Sequence, residues 1–157
     1  MLVTLYIDQV PEMRSIDEYN DPIELRQLMA NAKRLGNERI YWEAFSRLCL
    51  ISGKDDPDPL VRDFYSTLTA YEELLTVKNK KKTLANRTRQ KLARKGVVQC
   101  LEDWATQRTS EGLELLVSKG LFTLTGEYLV LKYASRFSPD AVAAARIKLK
   151  NFGYSPS

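Results

Sequence analysis

Histidine is absent from this 157-residue chain. Its absence excludes Ser-His-Asp and Cys-His nucleophilic catalysis, histidine general-base chemistry, and most zinc and non-haem iron sites. Any catalysis would rest on carboxylate, lysine, tyrosine or cysteine. Cysteine is scarce too: only Cys49 and Cys100 occur. Each sits inside an apolar helical pattern, so two buried free thiols in a reducing compartment are expected rather than a disulfide framework. The seven glycines are scattered, mostly at expected helix ends, and form no phosphate-cradling loop. No run of about 18 apolar residues exists, which excludes a helical membrane span. The N-terminal stretch has no basic leader and reaches Asp8 at once, a poor secretory signal. No internal repeat appears at solenoid periods.

The hydrophobic share is 44% and the charged share 28%, ordinary for a folded chain. A single domain over residues 1–157 is expected, mainly all-α, a compact bundle of six or seven helices. Residues 1–20 read as an extended arm. Residues 21–78 read as a helical hairpin followed by a long helix, residues 79–96 as a basic segment, and residues 97–157 as C-terminal helices. A small β element at 2–7 and 121–133 is the exception this reading leaves open.

The helix boundaries carry recognisable chemistry. Asp21 precedes Pro22 as an N-cap, Leu25, Leu28, Met29, Ala32 and Leu35 recur at helical spacing, and Gly36 is the stop. Asn37 caps the next helix, whose face is Tyr41, Ala44, Phe45, Leu48 and Cys49. So short a connection predicts an antiparallel hairpin. Asp58 and Pro59 open a third helix, with Leu60, Phe64, Leu68, Tyr71 and Leu75 on its apolar stripe. Further starts are expected at Thr83, after Gly96, at Thr109 or Ser110, and at Ser138-Pro139. Residues 121–134 fit two conformations, a hairpin turning at Thr125-Gly126 or a helix capped by Thr125. The helix is preferred, because no other strand clearly asks for a sheet partner.

The strongest signal is charge. Between residues 78 and 95 lie Lys78, Lys80, Lys81, Lys82, Arg87, Arg89, Lys91, Arg94 and Lys95, with no acid among them. The remaining 15 basic residues face 20 acidic ones, so this segment carries +9 and the rest −5. Such asymmetry bears on partners more than the modest total of +4 does. On a helix beginning at Thr83, Arg87, Lys91 and Arg94 fall at i, i+4 and i+7, while Leu84, Ala85, Thr88 and Leu92 face the other way. A row of cations on a docked helix suits a phosphate backbone. Asn86, Thr88 and Gln90 add hydrogen-bonding capacity toward phosphates or base edges. The plainer reading is a solvated surface, partly neutralised by acids such as Glu72, Glu73, Glu102 or Asp103 and favoured by a helix dipole near residue 80.

Helix 83–94, Gly96 and helix 97–107 have the coarse shape of a helix-turn-helix. Glu102 and Asp103 weigh against the second helix as a reader, so the first would be the contact element. A winged-helix variant, with helix 110–119 as reader, meets the same objection from Glu111 and Glu114. Asp55, Asp56 and Asp58 cluster with interleaved prolines but lack calcium-loop spacing, and capping is their expected role. No Glu-x-Lys or Asp-x-Lys follows Pro57-Asp58 or Pro139-Asp140 to complete a nuclease carboxylate motif. Cys100 shares a stripe with Val97, Leu101 and Trp104 and reads as core. Trp42, off the main stripe of its helix, is either an interface residue or packing.

The expectation is a non-enzymatic nucleic-acid-binding accessory or regulatory protein, cytoplasmic, without cofactor, metal or membrane. Its contact residues are Lys80, Lys81, Lys82, Arg87, Arg89, Lys91, Arg94 and Lys95, and DNA and RNA stay equal. The alternative is an α-helical protein-interaction module that binds an acidic partner.

Overall fold

A computed structural model describes residues 14–53 and 55–154. Among them lie seven α-helices and three short 3-10 turns, with no strand. The described residues are all-α, as the periodicity predicts. No described helix is long and apolar enough to cross a membrane. Within 121–133 lie a 3-10 turn, Phe122–Leu124, and a helix, Gly126–Lys132, so the preferred helix holds and the hairpin alternative there is corrected. The stretch 2–7 lies outside the described residues. The chain divides into two compact units, one ending at Ile51 and the other beginning at Ser52.

The first unit is a helical hairpin, α1 (Pro22–Leu35) and α2 (Glu38–Ile51). The Asp21 carboxylate accepts the Ile23 N–H at 2.9 Å, Pro22 takes the first helical position, and Gly36 ends α1 in the left-handed region. Asn37 Oδ1 then accepts the Ile40 N–H at 3.2 Å and starts α2. Two residues of connection, Gly36 and Asn37, make the helices antiparallel neighbours. Leu25, Leu28, Met29 and Ala32 of α1 and Ile40, Ala44, Phe45 and Leu48 of α2 are all buried, and the two helices pack against each other. Trp42 is half-buried, its ring edge-on to Tyr41 and Phe45 of its own helix.

The second unit contains α3 (Pro59–Asn79), α4 (Asn86–Thr106), α5 (Glu111–Ser118), α6 (Gly126–Lys132) and α7 (Pro139–Asn151). Each start is capped where the sequence asks for it, except α4. Asp58 accepts the Leu60 N–H at 2.9 Å, Ser110 the Leu113 N–H at 3.1 Å, Thr125 the Tyr128 N–H at 3.1 Å, and Ser138 the Ala141 N–H at 3.2 Å. The core is built from Leu60, Phe64 and Leu68 of α3, Cys100, Leu101 and Ala105 of α4, Leu129 and Val130 of α6, and Ala141 and Ala145 of α7. Trp104 packs against this core, stacked 5.8 Å from Phe64 and tilted 5.0 Å from Tyr71. A Cβ on Gly126 would meet the Trp104 ring at 2.5 Å, so only glycine lets α6 start against α4.

Gly96 divides α4. Its φ of 87° and ψ of 176° break the helical path, leaving residues 86–95 before it and 97–106 after it. The later half is the core helix, carrying Cys100, Leu101 and Ala105. The earlier half carries the basic residues.

Candidate nucleic-acid interface

The nine cations of 78–95 separate into two groups by what they touch. Three are bound to acids of the same unit. Arg89 grips Glu72 with both ends of its guanidinium, Nε at 2.6 Å and Nη2 at 2.7 Å. Lys91 Nζ stands 2.7 Å from an Asp103 carboxylate oxygen. Lys78 pairs with Glu111 at 3.4 Å on the surface. The other six, Lys80, Lys81, Lys82, Arg87, Arg94 and Lys95, are exposed and have no ion pair among the described residues.

Helical geometry explains the partition. At 100° per residue, Thr88 and Leu92 point inward, and Leu92 packs on the core. Arg89 and Lys91 flank that inward stripe on opposite sides, within reach of α3 and of the later half of α4. Residues 86, 87, 90, 93 and 94 occupy the outward face, and all are exposed. The expected row of Arg87, Lys91 and Arg94 is therefore interrupted at its centre by Asp103. Arg89, one of the expected contacts, is held by Glu72. Both still contribute to the site by fixing the helix that carries the exposed cations.

Glu72 is the residue whose importance the sequence did not announce. Its carboxylate also accepts the Ala85 N–H at 2.8 Å, so it satisfies the amide that opens α4. Thr83, the expected cap, instead donates its N–H to Thr76 Oγ1 at 3.0 Å, and its hydroxyl donates to the Lys81 carbonyl at 2.8 Å. Asn79 reaches the Thr83 hydroxyl at 3.3 Å. Glu72, Thr76 and Asn79 recur at i, i+4 and i+7 on α3, and together they hold the loop that bears Lys81 and Lys82. The available signal was the position of Glu72, four residues after Leu68 and so on the inward side of α3. Losing the carboxylate would strip Arg89 and the Ala85 amide of their acceptor. Arg89 is partly exposed, so the expected cost is only about 1–2 kcal/mol.

The electrostatics follow these contacts. Burial pushes the Glu72 carboxyl up, but the Arg89 guanidinium and the Ala85 amide outweigh it and hold it below its usual value. The Lys91 ammonium, and then the Gln99 amide, lower Asp103. Both acids are ionised partners at neutral pH. Cys100 is raised by desolvation and behaves as core, with its thiol 3.9 Å from the Thr88 carbonyl. Glu102, which weighed against a reading role for the second half of α4, accepts the N–H and hydroxyl of Ser138 at 2.7 and 2.9 Å.

Comparison with known proteins returns nothing: no family model, no curated protein and no solved structure matches this chain. The function rests on the site itself.

One residue of the basic segment sits in a conformation that its side chain disfavours. Lys80 ends α3 with φ 58° and ψ 27°, the left-handed position where glycine is the usual occupant. It is the one non-glycine residue with positive φ among the described residues. A Cβ there costs on the order of 1 kcal/mol. Lys80→Gly is expected to raise stability toward denaturant by up to about that amount while removing one exposed cation. Urea unfolding of the two proteins checks it, and a destabilised glycine variant would contradict the strain.

Other acidic clusters are engaged structurally. Asp58 caps α3 and pairs with Arg136 at 2.8 Å, and Asp56 accepts the Asp58 N–H at 2.9 Å. Asp63 takes Lys132 at 2.9 Å and the Tyr133 hydroxyl at 2.6 Å. Among the described residues no three His, Cys, Asp or Glu side chains gather as metal ligands would.

Proposed function

We propose that this protein binds nucleic acid through the phosphate backbone, without catalysis, as an accessory or regulatory factor. The observation that carries this reading is the set of six exposed cations, Lys80, Lys81, Lys82, Arg87, Arg94 and Lys95, displayed on one continuous loop and helix. An exposed lysine alone says little, since charge runs are commonly solvated. Here the loop is tied down at Glu72, Thr76 and Asn79 and the helix at Glu72 and Asp103, so the charges are presented by an ordered element. Pre-organisation of this kind reduces the ordering cost of binding. Each neutralised phosphate releases counterions, which makes the interaction favourable and dependent on salt.

A second reading has its own support. Val77 and Leu84, 44% and 43% exposed, flank the lysine loop, and apolar side chains among cations also suit an acidic protein partner. Titrating purified protein into labelled duplex DNA and labelled single-stranded RNA at low ionic strength separates the two. Micromolar or tighter binding to either is the expected result. No binding to either would overturn the nucleic-acid reading and leave the acidic protein partner.

A further inference from the structure

Outward from the core, residues 86–95 carry a second chemistry beside the cations. Asn86, Gln90 and Ala93 recur at i, i+4 and i+7 along the middle of the exposed face. Neither the Asn86 nor the Gln90 side chain makes a hydrogen bond within the described residues. Arg87 and Arg94 line one edge of this stripe, whereas Lys95, at the end of the helix, falls on the Lys91 side, where its charge helps lower Asp103. The stripe is thus polar but uncharged, bordered by positive charge, with a small residue at one end.

That arrangement matches what a base-reading helix requires. Asn and Gln present a donor and an acceptor side by side and pair with the N6 and N7 edge of adenine. Alanine lets the backbone approach and packs on a thymine methyl. From Asn86 to Ala93 the helix rises about 10 Å, close to three base-pair steps of about 3.4 Å. The B-DNA major groove is about 12 Å wide and admits one α-helix. Flanking arginines then reach the phosphates that border the groove. A-form RNA has a major groove too deep and narrow for this, and residues 78–95 contain no aromatic side chain on which single-stranded bases could stack.

We propose that residues 86–95 enter the major groove of duplex DNA, with Asn86 and Gln90 as specificity-determining contacts to A·T base pairs and Arg87 and Arg94 as phosphate contacts. The inference rests on the nucleic-acid reading above and deepens it. The buried half of α4, residues 97–106, is then the support, and the contact element precedes it in the chain. This reverses the usual helix-turn-helix order. Arg89 and Lys91 are positioning residues: held by Glu72 and Asp103 on opposite flanks, they keep the helix from rolling about its axis.

The test is selection from a randomised duplex DNA pool with the full chain and with Asn86→Ala/Gln90→Ala. Both replaced side chains are exposed, so the variant folds, which circular dichroism verifies. The full chain is expected to enrich a short A·T-containing site. On that site the double variant should lose roughly tenfold or more in affinity, yet keep its binding to unselected duplex and its salt dependence. Duplex binding without enrichment, an unchanged enriched site in the variant, or stronger binding to single-stranded RNA would each overturn the proposal and leave phosphate binding standing. Absence of all nucleic-acid binding would instead remove the reading beneath it.

Discussion

Replacing Lys80, Lys81, Lys82, Arg87, Arg94 and Lys95 together by alanine is expected to lower affinity for duplex DNA roughly a thousandfold or more at low salt. The net charge falls from +4 to −2, but the larger change is local, because these six are the exposed cations of the segment that form no ion pair among the described residues. None of the six forms an ion pair among the described residues, and Lys82 and Lys95 act on Glu72 and Asp103 only through their nearby charge, so the fold should change little, each surface substitution acting within about 0.5 kcal/mol. The matched control replaces Lys78, Arg89 and Lys91, which are already paired with Glu111, Glu72 and Asp103. That variant should lose stability and some affinity, because Arg89 and Lys91 position the helix, but far less affinity than the sixfold variant loses. Equal losses of affinity in the two variants would mean that total charge, and not its exposed part, governs binding. Fluorescence anisotropy with a labelled duplex, alongside urea unfolding of each variant, reads both effects.

A second large effect is expected at a buried ion pair of the second unit. Glu127 and Lys148 form a pair with side chains only 6% and 11% exposed, Nζ lying 3.4 Å from one carboxylate oxygen. The ammonium also donates to the Trp104 carbonyl at 2.7 Å, whereas the other Glu127 oxygen is buried without a partner. Desolvation raises the Glu127 carboxyl above its usual value, against the pull of Lys148. Removing either partner leaves a buried, uncompensated charge, so Lys148→Met or Glu127→Leu alone should cost about 3–5 kcal/mol. The double variant should cost far less than the sum, because both desolvation penalties vanish with the charges. The sign with pH is also fixed. A carboxyl whose folded pKa is raised binds its proton more readily in the folded state, so its contribution favours folding at low pH and is lost as pH rises. The Lys148→Met deficit should therefore shrink on acidification, and the Glu127→Leu deficit should not. Additive single costs would show that the two side chains are not coupled.

Much of this fold was legible in the sequence wherever the deciding interaction is local. Asp21, Asn37, Asp58, Ser110, Thr125 and Ser138 each sit two or three residues from the amide they cap, and the structure has all six in that role. Gly36 and Gly96 likewise act through their own backbone angles. The start of α4 was misplaced at Thr83 because its real determinant, Glu72, lies 13 residues earlier and acts across space. Residues 121–134 were ambiguous because a seven-residue helix shows too little periodicity to be told from a strand.

The basic segment shows the same division. Its charge was plain from composition, and the outward placement of Arg87 and Arg94 follows from helical spacing. Which cations are neutralised was not legible, because Arg89 finds Glu72 and Lys91 finds Asp103 only once α3 and both halves of α4 are packed. A row read as Arg87, Lys91 and Arg94 became instead a polar stripe of Asn86 and Gln90 beside two arginines. Lys80 in the left-handed region could not be foreseen either, since a lysine gives no local sign of positive φ.

The most direct test of the central claim is the slope of log affinity against log salt for the unmodified chain on duplex DNA. Six cations engaged with phosphates predict a slope of about −5. A slope near zero, or no binding at the lowest salt, would contradict the account and return residues 78–95 to a solvated or protein-facing surface.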